Sequence, residues 1–185
     1  MSTLEVNKIT PAGAATEVTL GESGDTFTLP SGVTLTNNGT ASGFGKIGQV
    51  VQTTKSDLFS TSSTSLVDIT GLSASITPSS TSSKIFVMLN GHANSSQASV
   101  QLYTIKLLRD STGIGGVDSG NRIFRSYGVS NAPQTFSTFL LDEPSTTSST
   151  TYKAQVNVSG DTVYIGGFGN AVQAPTTITL MEVLA

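Results

Sequence analysis

The segment YKAQVNV, residues 152–158, indicates the class of fold, because apolar and polar side chains alternate along it. A period of two residues is typical of a β-strand with one face in a core and the other face in solvent. We therefore predict antiparallel β-sheets. The side chains on the core side of this strand are Tyr152, Ala154, Val156 and Val158.

The composition of the whole chain supports an all-β fold. The 185 residues include 27 Ser and 28 Thr, and charged residues make up only 11% of the chain, compared with roughly 25% in typical soluble proteins. Hydroxyl groups therefore provide the solubility that Lys and Glu provide elsewhere. Because Glu and Lys are also common on helix surfaces, their scarcity favours strands over helices.

From Ile47 onward, strand patterns recur at regular spacing, separated by Ser/Thr clusters or by Gly, Asn and Asp turns. The stretch KIFVMLN, residues 84–90, is apolar without a break, as in a strand that is covered on both faces. About eight or nine such strands predict a two-sheet antiparallel β-sandwich, with a jelly roll as the best fit. The predicted strands are 48–54, 65–70, 84–90, 99–109, 121–126, 135–142, 151–158, 162–169 and 176–183.

The first 45 residues carry shorter phrases than the rest of the chain. In TFTLPSGVTLTNNG, residues 26–39, two apolar side chains alternate with threonine, and the pattern returns six residues later. Strands of three or four residues bury too little in one chain to be stable alone. We predict that identical chains wind together and share a core, as neighbouring units do in repeat proteins. The residues of this predicted oligomer core are Phe27, Leu29, Val33 and Leu35.

The alternative for this segment is an ordinary hairpin, closed by Pro30, Ser31 and Gly32, that packs on its own sandwich. Under either interpretation the Gly-rich stretch NGTASGFGKIG separates two regions. We predict an N-terminal stalk or attachment segment over residues 1–45 and a β-sandwich domain over residues 46–185.

Three stretches resemble the tail-fibre and appendage proteins of tailed bacteriophages, especially marine phages of cyanobacteria. They are MSTLEVNKITPAG at the start, GDTFTLPSGVTLTNNGTASGFG at residues 24–45, and TTITLMEV at residues 176–183. The resemblance covers nearly the whole chain. It implies an N-terminal segment that attaches to the virion, a threonine-rich stalk and a β-sandwich head, usually in a homotrimer.

The same resemblance implies a function and a location. We expect a non-enzymatic virion protein, assembled in the host cytoplasm, that acts as a tail fibre or short fibre in host-surface adsorption. Its partners would be further copies of itself, other proteins of the tail or capsid, and a glycan or protein of the host surface. The stalk is short for a fibre that reaches a host, so a capsid decoration or head appendage without receptor binding is the alternative.

Two stretches, NGHANSSQ and FRSYGVSNAPQ, are predicted loops with side chains suited to a surface ligand. Aromatic, amide and guanidinium groups on loops commonly contact sugars and protein epitopes. The alternative for Arg125 and Tyr127 is that they pack between subunits or cap a sheet edge, and the alternative for His92 is a solvated loop residue without a ligand. The candidate residues are His92, Arg122, Arg125, Tyr127 and Asn131.

The sequence carries no pattern that indicates catalysis, a metal or a cofactor. It has one histidine and no cysteine, and it lacks the nucleophile motif G-x-S-x-G and the phosphate-loop motif. The adjacent acids Asp142 and Glu143 precede a proline in a strand-end context, unlike the separated carboxylates of glycosidases. Residues 110–120 have oxygen ligands and glycines but depart from the calcium-loop pattern, so we predict a hairpin loop.

Charge and hydropathy exclude two further classes of partner. A net charge of -3 and a pI near 4.9 leave no basic face to neutralise phosphates, so we predict no nucleic-acid partner. No apolar run approaches the roughly 20 residues of a membrane span, so we predict no membrane insertion. The first ten residues lack the basic start and apolar centre of a signal peptide.

Overall fold

A computed structural model describes residues 24–26, 28–34, 36, 46–95, 101–116, 120–128, 133–168, 171–172 and 174–184. The chain divides into two units, Met1–Phe44 and Gly45–Ala185. In this described part there are strands and no helices, which confirms the all-β prediction. The strands are β1 Ile47–Lys55, β2 Phe59–Thr61, β3 Val67–Ile76, β4 Lys84–Ser95, β5 Gln101–Arg109, β6 Thr112–Ile114, β7 Phe124–Gly128, β8 Gln134–Asp142, β9 Thr150–Val158, β10 Val163–Ile165, β11 Gly167–Phe168, β12 Ala171–Val172 and β13 Thr176–Val183.

Two large antiparallel sheets make up most of the second unit, and β11 and β12 form a separate two-stranded sheet. In the first sheet, β4 is central: β8 pairs with residues 85–93 along one edge, and β13 pairs with residues 84–90 along the other. Farther along that second edge, residues 93–95 of β4 pair with β10, and β10 in turn pairs with β2. β1 lies outside β13. In the second sheet the order is β3, β9, β5, with β7 and β6 at successive positions along the far edge of β5.

This connectivity is that of a jelly roll. The eight principal strands form the spatial orders β1–β13–β4–β8 and β3–β9–β5–β7. Along the sequence of these eight strands, the chain crosses from one sheet to the other at every step except from β5 to β7. Two Greek-key halves that close into a double sheet define the eight-stranded jelly roll. The predicted sandwich is therefore confirmed in both sheet number and topology.

The core lies between the sheets and is built from every second residue of the long strands. β9 shows the rule most clearly, because its residues alternate between buried and half-buried along its whole length. Its four predicted core side chains are each at most 1% exposed. The other fully enclosed side chains include Leu72, Ile76, Ile85, Val87, Leu89, Ile105, Leu107, Phe136, Ile165, Ile178 and Leu180.

Buried polar side chains join the two sheets at one end of this core. Asp142 of β8 accepts hydrogen bonds from Arg109 Nη1, at 2.9 Å to each carboxylate oxygen, and from the Tyr152 hydroxyl at 2.6 Å. Burial and the neighbouring Asp142 carboxylate raise the pKa of Tyr152. The phenol therefore stays neutral, and its hydroxyl group donates a hydrogen bond to the Asp142 carboxylate of the opposite sheet.

The predicted loop NGHANSSQ is wrong for residues 90–95, which continue β4. An Asn-Gly pair usually marks a hairpin turn, but here Gly91 is paired with Phe136 of β8. A Cβ atom on Gly91 would lie 2.6 Å from Cζ of the Phe136 ring. The ring thus fills the space of the missing side chain, and the strand runs past the glycine.

Other strand predictions differ at their ends or in continuity. The predicted strand 162–169 is interrupted at Gly166, whose φ of +83° is readily adopted only by glycine. The second predicted loop is also partly wrong, because Tyr127 and Gly128 lie in β7, which pairs with β5, whereas Arg125 lies in β7 as the predicted strand 121–126 implies. A hairpin does follow β5, but the predicted loop 110–120 is partly wrong, because its residues 112–114 form β6, which pairs with residues 107–109.

In the first unit, the described residues contain a turn and no strand. Val33 N–H donates to the Pro30 carbonyl at 3.2 Å, and Gly32 has a φ of +85°, which together define a type II turn. Leu29 is 40% exposed and Val33 54% exposed. Neither lies in a strand, because no other described segment pairs with them. Phe27 and Leu35 lie outside the described residues, so the shared core stays a prediction.

The carboxylate of Glu182 ties β13 to two other segments. Its side chain accepts hydrogen bonds from the Ser79 backbone N–H and hydroxyl, each at 2.6 Å, and from Gln49 Nε2 at 2.7 Å. Burial acts to raise the pKa of this carboxyl, but the hydrogen bonds from Ser79 and Gln49 outweigh burial and hold the pKa at about 2. The folded protein therefore stabilises the charged form of the Glu182 side chain more than the unfolded chain does.

We expect Glu182→Gln to lower the free energy of unfolding by about 2–3 kcal/mol at neutral pH, because the amide turns an N–H group toward other donors. The folded pKa lies below the reference value of 4.5. The contribution of the Glu182 carboxylate to the free energy of unfolding is thus present above about pH 4.5 and is lost as the pH falls toward 2. Urea unfolding of both proteins across this range should show their difference shrinking.

Glu143→Gln is the matched control for this experiment. The Glu143 carboxylate is largely exposed and pairs with Lys84 at 2.6 Å on the surface, so its loss should change the free energy of unfolding little at any pH. A stability difference between wild type and Glu182→Gln that stays constant between pH 7 and pH 2.5, roughly the window set by the pKa shift, would contradict the proposed role of Glu182.

Candidate interaction surface

The two adjacent acids Asp142 and Glu143 have structural partners. Asp142 is held by Arg109 and Tyr152, and Glu143 by Lys84; the hydrogen bond and charge of Lys84 lower the pKa of Glu143. Within the residues that the structure describes, no three His, Cys, Asp or Glu side chains are grouped so that they could hold a metal ion. No helix in that same part of the chain is long and apolar enough to cross a membrane.

The structure separates the predicted ligand residues. His92 of β4 is paired with the exposed Thr135 on the outer face of the first sheet. Arg125 of β7 is exposed and is paired with Thr104 on the outer face of the second sheet. Because cross-strand partners point to the same side of a sheet, His92 and Arg125 lie on opposite faces of the sandwich. One chain therefore does not bring these two side chains to a single site.

The remaining candidates are placed less completely. Arg122 is half-buried just before β7, and the backbone of Tyr127 pairs with Leu102. Asn131 lies outside the described residues. His92 is half-buried, and its Nδ1 atom is enclosed without a hydrogen bond to any residue that the structure describes. A ligand-binding role for each of these residues stays a prediction.

The most distinctive surface is instead apolar and lies on the outer face of the first sheet. Cross-strand pairing aligns side chains from four strands in two adjacent rows. The first row consists of Val50, Met181, Phe86 and Leu141, and the second row consists of Gln52, Thr179, Met88 and Phe139. We call the six apolar members of these rows the apolar face: Val50, Phe86, Met88, Phe139, Leu141 and Met181.

The apolar face is accessible on its β8 side and packed on its β4 side. Phe139 is 71% exposed and Leu141 is 49% exposed, whereas Phe86 and Met88 are half-buried. The Phe86 and Phe139 rings contact each other, with centroids 6.2 Å apart and planes inclined at 43°. Aromatic pairs of this tilted kind are favourable in addition to the area that they bury.

Polar side chains around the apolar face satisfy one another. Gln52 Nε2 donates to Thr179 Oγ1 at 2.8 Å, and Ser137 Oγ donates to Asn90 Oδ1 at 2.6 Å. Two residues before Phe86, Lys84 forms an ion pair with Glu143 at 2.6 Å. The six apolar side chains and this ion pair together carry no net charge.

The sequence contains the pattern that indicates this surface, although none of the predicted ligand residues belongs to the apolar face. The unbroken run KIFVMLN predicts a strand covered on both faces, and residues 139–141 are likewise three consecutive apolar residues. The structure confirms the inner cover, since Ile85, Val87 and Leu89 are fully buried. On the outer face Phe86 and Met88 are half-buried, so the predicted cover is only partial there, and no segment among the described residues forms a third layer over it.

Comparison with known proteins gives structural similarity alone. No protein-family model matches the sequence, and no curated protein matches it. Among solved structures, the chain is similar to the Gt strain of infectious bursal disease virus, with a TM-score of 0.40 and 20% identity over 74% of this chain. A crystal structure of the particle of that virus matches with a TM-score of 0.41 and 16% identity.

A third similar structure is the VP2 subviral particle of the same virus, with a TM-score of 0.36 and 17% identity. Each of these matches covers 74% of this chain but only 36% to 38% of the other chain. The chain thus spans less than two fifths of the length of the proteins that it matches.

Two phenylalanines on β8 test the assignment of its faces. Phe136 points into the core and is 1% exposed, so Phe136→Ser should lower the free energy of unfolding by at least about 3 kcal/mol. Phe139 points outward, so Phe139→Ser should change it by less than about 0.5 kcal/mol in a single chain. Urea unfolding of the monomeric species, identified by sedimentation, measures both. Similar losses for the two variants would show that β8 is wrongly oriented.

Proposed function

We propose that this chain is a non-enzymatic structural protein of a tailed-bacteriophage virion. In this proposal it forms a homotrimeric tail fibre or short fibre. Its first 45 residues attach it to the particle, and its jelly-roll head is presented for adsorption to the host surface. The proposal combines the resemblance carried by residues 1–13, 24–45 and 176–183 with the two-unit organisation of the chain.

The observation that carries the proposal is the exposure of apolar side chains in the first unit. Leu29 and Val33 flank a type II turn, and both are exposed. Apolar side chains that alternate with threonine gain free energy only when another surface removes them from water. Neighbouring chains would provide that surface in a trimer, as neighbouring units do in repeat architectures.

A structural role agrees with the use of the polar side chains. Asp142, Glu143 and Glu182, three of the most constrained carboxylates, bind Arg109, Lys84 and the Ser79 segment. General acid–base catalysis requires carboxyl groups that reach a substrate, and these groups instead hold strands and loops together. A capsid decoration or head appendage is the second candidate, and it is favoured because the described residues of the first unit contain a turn and no strand of a stalk.

Labelling of intact particles tests the location. A gold-conjugated antibody raised against the whole chain should mark purified phage particles at the tail under the electron microscope, with pre-immune antibody as the control. Label distributed over the head would support the decoration alternative. Purified particles without label would contradict a virion role altogether.

Substitutions in the first unit test the trimer. Phe27→Ser and Leu35→Ser should each convert the trimer to smaller species in analytical ultracentrifugation, because removal of a buried Phe or Leu costs about 3–5 kcal/mol per site and every chain carries the defect. Thr28→Ser and Thr34→Ser are matched controls on the outward positions and should leave the trimer intact. If all four variants behave alike, or if the unmodified chain is a stable monomer, the shared core does not exist.

A further inference from the structure

We propose that the apolar face is a contact between copies of this chain, in which the outer face of the first sheet packs against the same face of neighbouring copies. The inference rests on the proposed homotrimer, because it requires copies that are already held side by side. It adds to that proposal a second contact, in the jelly-roll head, whose residues and partner are defined.

The charges around the face favour an identical partner. The six side chains are uncharged, and the bordering Lys84 and Glu143 neutralise each other. In a trimer the identical faces of the three copies would therefore meet around the threefold axis without repulsion between like charges. A strongly acidic or basic partner would find no complementary charge here, and burying its own charges would cost free energy.

The size of the face favours a partner that is held in place by another contact. Four strands spaced about 4.8 Å apart and two rows about 7 Å apart give a patch of roughly 250 Å² with its side chains. A stable interface between freely diffusing proteins buries about 800 Å² on each partner. The apolar face is therefore too small to capture a free protein, but it is sufficient for copies whose effective concentration is raised by their first units.

The side chains of the face suit a sheet-to-sheet contact. Phe139 and Leu141 project from the outermost strand of the sheet, where a neighbouring copy can reach them. Met88 and Met181 lie behind them, and the flexible thioether side chain of methionine adapts to irregular apolar surfaces. The contact would also supply the outer cover that the unbroken apolar run of β4 predicts.

Cysteine cross-linking tests the contact in the full chain. The chain has no cysteine, so Phe139→Cys introduces a unique thiol on the apolar face. Ser73→Cys is the matched control, because Ser73 is exposed on the outer side of the second sheet. A short bismaleimide should link Phe139→Cys chains in pairs at least about tenfold faster than Ser73→Cys chains if proximity raises the effective thiol concentration.

Equal cross-linking of the two variants would overturn the inference. Leu141→Cys provides a second position on the face if Phe139→Cys fails to fold, and circular dichroism of each variant checks the fold. Sedimentation of the unmodified chain keeps the outcomes separate. A trimer whose face residues cross-link no faster than the control retains the proposed function and refutes this contact, whereas a monomer refutes the trimer itself.

Discussion

The jelly roll depends on the long strand β4, which is paired over residues 85–93 along one edge and over residues 84–90 and 93–95 along the other. β13 and β10 share one edge of β4, and β8 occupies the other, so a break in β4 would divide the first sheet. Gly91 lies within this strand, where an Asn-Gly pair favours a turn. The ring of Phe136 covers the glycine from the paired strand and supplies the contacts that a side chain would otherwise make. The local preference for a turn is thereby overridden by tertiary packing.

Directional polar contacts then define how the sheets and loops are arranged around that strand. The apolar core provides most of the free energy of folding, but apolar packing alone specifies alignment less strictly than hydrogen bonds do. Asp142 joins β8 to Arg109 and Tyr152 of the opposite sheet, and Glu182 joins β13 to Gln49 and Ser79. In a chain with only 11% charged residues, these buried carboxylates are placed where separate segments meet. Each is satisfied by several donors, as burial of a charge requires.

Strands with strong alternation could be predicted from the sequence, and elements that depend on distant partners could not. The predicted segment 176–183 coincides with β13, and the predictions for β8 and β9 each differ by one residue at the start. β2 and β6 are three residues long and are strands only because β10 and β5 pair with them. The placement of His92 and Arg125 on opposite faces likewise follows from the sheet that each strand joins, which local patterns do not encode. The apolar face was visible as an unbroken run, but its exposure depends on the absence of a third layer.

The low charge of the surface changes what a small apolar face can do. When charged surfaces approach, the loss of their hydration opposes association, and a patch of a few hundred Å² does not compensate for it. A surface rich in Ser and Thr can exchange hydrogen bonds with water for hydrogen bonds within the interface at little net cost. In this chain the border of the apolar face is already internally hydrogen-bonded through Gln52, Thr179, Asn90 and Ser137, so few polar groups need new partners on association. Each sandwich buries its own core between two sheets, so in the proposed contact the outer face of β4 and β8 would contribute to assembly without being required for folding.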